Sequence, residues 1–264
     1  KSQFRDLQKV PVDKLSAAAV NALKKTPRTP GARRDTFGET GWWGPTVDGH
    51  SLPAHPFDPV APAVSANVPL ITGTCLHESV NGKDKPNVNA MTSEEMTEEV
   101  RKLYSDDANA IIAAYKQDYP GLSPFNLYAV IATAKWRIPQ IMQAERKAAL
   151  GAAPAYSYIY SWRTPVLDDR PGPFHAAEIA FVFDNADLCD HYTGGSPGGF
   201  ALAKQMSTAW ATFARTGNPN HSGMPHWPAY TAESRANMVF NTPCEVRNHP
   251  EQKGLDIIGK LKLS

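Results

Sequence analysis

Two short β-type segments, set apart by a long helical stretch, constrain this chain more than anything else in it. The first, Val68-Pro69-Leu70-Ile71-Thr72-Gly73-Thr74, is continuously apolar with β-branched residues. A run of that kind suits a strand buried on both faces of a parallel sheet. The second, Ala155-Tyr156-Ser157-Tyr158-Ile159-Tyr160-Ser161-Trp162, is rich in aromatics and reads as another strand. Between them, Thr92 and Glu95 form a capping box that opens a helix running to residue 104. A second helix is expected over 108–118. A third starts with Ser123 as N-cap and Pro124 in its first turn. Pro139 predicts either a kink in that helix or a split into two, and Gly151 ends the run. Strands separated by a helical bundle imply an α/β sheet with a helical insertion. Two good strands cannot bury that many helices, so the sheet looks incomplete.

The rest of the chain fills in around this frame. Residues 12–23 read as a helix with Asp13 as N-cap, 26–41 as polar loop, and Asp48-Gly49 as a turn. Phe200, Leu202, Met206, Trp210 and Phe213 recur at helical spacing up to a capping Gly217. Met238-Val239-Phe240 is a candidate terminal strand, Cys244-Glu245-Val246 its hairpin partner, and a short helix begins near Leu255. The net charge of +1 supplies no basic field for nucleic acid. No apolar run approaches the roughly 18 to 20 residues of a membrane span. Cys75, Cys189 and Cys244 leave open one bridge with a free thiol, or three thiols. His221 with His226, and Cys189 with His191, make no zinc pattern, and there is no Gly-rich phosphate loop, so neither metal nor cofactor is expected.

Each strand runs into residues that carry chemistry. In open α/β sheets the site lies at the carboxyl ends of the strands. Cys75-Leu76-His77-Glu78-Ser79 follows the first strand. A Pro-, Asp- and Gly-rich loop follows the second and ends in Phe174-His175-Ala176-Ala177-Glu178. A histidine on such a loop is a candidate acid/base, because its ordinary pKa lies near neutral. Two glutamates compete to orient it. Glu178, three residues on, reads as a helix-start carboxylate bonded to backbone N–H groups, and so as structural support. Glu78 is the more distant candidate. Asp168 and Asp169 read as exposed turn acids. Gly194-Gly195-Ser196-Pro197-Gly198 satisfies Gly-x-Ser-x-Gly, the pattern of a nucleophile elbow. The residue after such a serine must donate its backbone N–H to the oxyanion, and Pro197 has none. Ser196 therefore reads as part of a loop leading into a helix.

Four segments, in order, resemble the type-B carboxylesterases, the large α/β-hydrolases that include cholinesterases and bacterial para-nitrobenzyl-type esterases. They are Gly44-Pro45-Thr46-Val47-Asp48-Gly49; Ile71-Thr72-Gly73-Thr74 through Glu78; His175-Ala176-Ala177-Glu178-Ile179 through Phe183; and Trp210 through Asn220 with Trp227-Pro228-Ala229-Tyr230. The resemblance implies that residues 1–264 are the C-terminal part of a single α/β-hydrolase catalytic domain. It makes His175 the general base and Glu78 the triad acid. It also implies that the oxyanion-hole glycines and the serine nucleophile lie upstream, on a complementing N-terminal polypeptide. The expected activity is hydrolysis of a small-molecule carboxylic ester through an acyl-enzyme, and this chain alone is not expected to perform it. Non-catalytic relatives of the cholinesterases act in adhesion, and the presence of both a Glu and a His favours the enzyme. The resemblance fits a secreted or periplasmic protein, while the residues themselves leave the compartment open. Adjacent Trp42 and Trp43 read as partial packing under a loop.

Overall fold

The computed structural model describes residues 2–25, 47–82 and 87–261, and its chain divides into two compact units at His55/Pro56. The 26–41 loop, Trp42, Trp43 and the first three residues of the Gly44–Gly49 segment lie outside the described residues.

The first unit contains α1 (Ser2–Leu7) and α2 (Val12–Lys25). Asp13 sits inside the first turn of α2 and is not its N-cap, a position where a carboxylate still meets the positive end of the helix dipole. The Asp-Gly turn forms as expected. Asp48 Oδ1 accepts from the backbone N–H groups of His50 and Leu52, both at 2.9 Å. Those bonds, Leu52's first, hold the carboxyl down at about 2.

The second unit is built on β1 (Leu70–Cys75). It continues through α3 (Ser93–Tyr104), α4 (Ala108–Asp118), α5 (Pro124–Ala148), β2 (Ala155–Tyr160), α6 (Ile179–Val182), α7 (Asp190–Thr193), α8 (Pro197–Thr216), β3 (Asn237–Phe240), β4 (Glu245–Arg247) and α9 (Gln252–Leu261). The sheet order is β1-β2-β3-β4, with β1, β2 and β3 parallel and β4 antiparallel to β3. The α/β class with a helical insertion is as the sequence predicts. The sheet is fuller than expected, because the terminal hairpin joins it.

Side chains alternate across the sheet with period two. Tyr156, Tyr160, Met238 and Phe240 enter one core with Leu202, Met206 and Trp227. Ile159 and Val239 enter the other with residues of α3, α4, α5 and α9. Aromatic rings dominate the first core: Tyr158 meets Trp210 edge-on at 5.3 Å, and Trp227 meets Phe240 at 5.4 Å. Gly73 is required on β1, since a Cβ there would fall 2.3 Å from the Tyr158 ring. On the other face, α5 runs unbroken through Pro139 as 25 residues. Polar anchors on both sides of the proline tie it to the sheet. Arg137 donates to Tyr158 O at 3.3 Å, and Gln140 donates to Ser157 Oγ at 3.0 Å.

All three caps read from the sequence on this unit are made, Ser123 Oγ accepting from Asn126 N at the start of α5. Thr92 Oγ1 accepts from Glu95 N and the Glu95 carboxylate from Thr92 N. Gly217 ends α8 in the left-handed region, φ +75°. No helix among the described residues is long and apolar enough to cross a membrane.

Candidate active site

Register brings the two candidate triad residues together. β1 and β2 pair in parallel up to Cys75 opposite Tyr160, and Leu76 N donates to Tyr160 O at 2.9 Å. Beyond β2 the chain breaks its pairing with the β1 segment over residues 161–172 and then returns to it. His77 N donates to Pro173 O at 3.0 Å, and His77 pairs with Phe174 in an isolated parallel bridge. The next residue on each side of that bridge is Glu78 and His175.

The excursion is tied internally. Arg163 Nε donates to Asp169 Oδ2 at 2.5 Å and its terminal nitrogen to Asn126 Oδ1 at 3.2 Å. Asp169 is therefore an ion-pair anchor and not a free turn acid. The Thr164 hydroxyl donates to the Tyr192 carbonyl, and Gly82 N donates to Arg170 O at 3.1 Å.

His175 Nδ1 lies 2.5 Å from Glu78 Oε2. An ionised carboxylate accepts and does not donate, so Nδ1 carries the proton. The other oxygen, Glu78 Oε1, accepts the backbone N–H of Cys75 at 2.6 Å. The Glu78 backbone N–H donates to Thr133 Oγ1 on α5 at 3.0 Å. The carboxylate is thus fixed from its own strand and its backbone from the helix behind. The Glu78 side chain is 11% exposed and the His175 side chain 75%. The imidazole edge carrying Nε2 is left open.

Glu178 supports the loop by a bond different from the expected one. It stands immediately before α6 and caps no backbone N–H there. Instead its Oε2 accepts from the buried Cys75 thiol at 2.8 Å. Burial first, and then the negative charges of Glu178 and Glu78, push the Cys75 thiol well above its usual range. All three cysteines are free thiols, so no bridge forms.

Ser196 is a helix cap. Its Oγ accepts from Gly199 N at 3.1 Å at the start of α8. His221 spends both ring nitrogens on backbone partners, Gln205 O and Gly223 N. Among the described residues no cluster of His, Cys, Asp and Glu could hold a metal ion.

One residue escaped the sequence reading. His77 is buried, neither ring nitrogen has a hydrogen-bond partner, and burial, helped by the charge of Arg163, pulls its pKa down to about 3. Its ring packs against Gly172, where a Cβ would fall 2.4 Å from Nδ1. It is the neutral filler under the loop that carries His175. Nothing in its sequence context distinguishes it from the exposed His175.

The family model described as the Carboxylesterase family matches residues 5–258. The chain belongs to the carboxylesterase family. It is 25% identical over 245 residues to the para-nitrobenzyl esterase of Bacillus subtilis (strain 168), covering 92% of this chain and 48% of that protein. It is 31% identical over 137 residues to liver carboxylesterase 1 of Mus musculus, covering 50% of this chain and 23% of that one. Among solved structures, a carboxylesterase of Geobacillus stearothermophilus superposes with a TM-score of 0.62 at 26% identity, covering 96% of this chain and 50% of that one. An esterase from Clostridium hathewayi gives 0.66 at 24% identity and shares the fold. This carboxylesterase-family chain spans half or less of the length of these relatives.

Proposed function

We propose that this chain supplies the general base and the orienting acid of a serine carboxylic-ester hydrolase. The carrying observation is the 2.5 Å contact between His175 Nδ1 and Glu78 Oε2 at the carboxyl end of the sheet. A serine hydroxyl is a weak nucleophile and needs a base within hydrogen-bond reach. His175 takes the Ser Oγ proton on Nε2 as the oxygen attacks the ester carbonyl. Glu78, ionised and anchored by Cys75 N–H, holds the tautomer and stabilises the imidazolium. The imidazolium then protonates the leaving alkoxide, and an acyl-enzyme remains for water to cleave by the reverse proton path.

The serine and the oxyanion donors belong to polypeptide outside these 264 residues, in the same catalytic domain. Two observations support that assignment. Ser196 is spent as a cap and is followed by Pro197, and the match to relatives covers about half of their length. The 264-residue chain alone is then inactive.

His175→Ala, tested in protein that includes the serine-bearing part, is expected to abolish turnover of a small ester such as para-nitrophenyl acetate while leaving the circular dichroism unchanged. Near-normal turnover would overturn the assignment. Hydrolysis by the 264-residue chain alone, lost in Ser196→Ala, would overturn the placement of the serine.

A further inference from the structure

Four groups close a ring at the end of β1. His175 Nδ1 meets Glu78 Oε2, Glu78 Oε1 meets Cys75 N–H, and Cys75 Sγ meets Glu178 Oε2. Glu178 lies on the same turn as His175, so the chain itself completes the circuit. We propose that the Cys75 thiol and the Glu178 carboxylate form a latch that positions His175, holding its loop against β1 so that the imidazole stays aimed for proton transfer. The proposal rests on the reading of His175 as the base.

The need for a latch follows from the surroundings of His175. Its side chain is three-quarters exposed, so packing does little to fix the ring. Ala176 beside it sits in the left-handed region at φ +69°, a conformation that costs energy for a residue with a Cβ. Such a turn persists only if neighbouring bonds hold it. α6, which follows, is a single turn of four residues and cannot hold it alone. On one side of the strained residue the loop is pinned by the His77–Phe174 bridge. On the other side the Cys75–Glu178 bond pins it. A misplacement of about 1 Å in a base can cost about 100-fold in rate.

Both partners suit the role. Cys75 is fully buried and points to the α6 side of the sheet, so its thiol has a fixed direction. Kept protonated by its surroundings, it is a donor and not a competing nucleophile. Glu178 leaves the backbone N–H groups of α6 uncapped and turns its carboxylate toward the thiol.

The test uses Cys75→Ala, Cys75→Ser and Glu178→Ala in the complete protein, each checked for folding by circular dichroism. Expected are a fall in kcat of about 10- to 100-fold with KM within about twofold for the two alanine variants, and near-parental kcat for Cys75→Ser, which retains a donor. The second readout is the deshielded Nδ1 proton of His175 by NMR, sharp in the parent and in Cys75→Ser and broadened or lost in the alanine variants. Should Cys75→Ala fail to fold, the half-buried Glu178 decides the matter. Parental kcat and an undiminished Nδ1 proton in folded Glu178→Ala would overturn the latch. If ester turnover survives His175→Ala while the NMR signal still depends on Glu178 and Cys75, the latch stands and the role of the histidine falls.

Discussion

Two glutamates in this chain hold basic partners in opposite surroundings. Glu78 meets His175 at the sheet edge, with an imidazole that is mostly exposed. Glu251 meets Arg137 in the core, 3.7 Å away, with both side chains 2% exposed or less. The core pair has further partners: Tyr119 donates to Glu251 Oε1 at 2.6 Å, and Arg137 donates to Gln140 and to the Tyr158 carbonyl. These bonds join the end of α4, α5 and the entry to α9. The core pair is desolvated on both sides and meets without a direct hydrogen bond, so Coulomb attraction is strong but the net gain is small. The edge pair keeps one partner in solvent, with the imidazole three-quarters exposed. On the proposed reading, stability and chemistry sit on different carboxylates.

Substitutions can break that division. The largest effect belongs to His175→Ala, which should lower kcat/KM by about 10⁴-fold or more while leaving the denaturant midpoint nearly unchanged. Glu78→Gln follows, at about 10⁴-fold. The new amide oxygen can keep the Cys75 N–H, which turns its NH₂ toward Nδ1, reverses the tautomer and places the proton on Nε2. A pH–rate profile of that variant, in protein with the serine-bearing part, checks the loss of base function.

His77 tests the boundary between the two regions, being buried yet at the active end. Its folded pKa of about 3 lies below the ordinary 6.5. The unfolded chain then binds the proton more readily between those values. Stability is full above pH 6.5 and falls as the pH drops toward 3, by up to about 5 kcal/mol. Urea midpoints measured across that window should flatten in His77→Gln, and an unchanged slope would remove His77 from the acid response.

In the core, Arg137→Met should cost about 3 to 5 kcal/mol, because it leaves the Glu251 carboxylate buried and unpaired. Guanidinium unfolding measures the cost, and activity per folded molecule should not change. A comparable loss of kcat would mean that the two regions are coupled. The smallest effect is that of Ser196→Ala, about 1 kcal/mol for a lost N-cap and no change in turnover.

Local signals determined a large part of this protein. The capping box at Thr92, the Ser123-Pro124 start of α5, the Gly217 end of α8 and the aromatic-rich strand β2 all depend on bonds or packing within a few residues of sequence. The pairing of His175 with Glu78 was legible only through a resemblance of motifs, because nothing local to either residue names the other. Tertiary structure decided what depends on register and burial. The His77–Phe174 bridge sets 78 beside 175 across an excursion of residues 161–172. The side on which Cys75 leaves β1 turns Glu178 away from the helix start toward a thiol. Closure of α9 over α5 buries Arg137 and Glu251 together. Sequence pattern shows which residues want partners at short range. Partners brought together across most of the chain exist only once the sheet has chosen its register and the helices have closed over it.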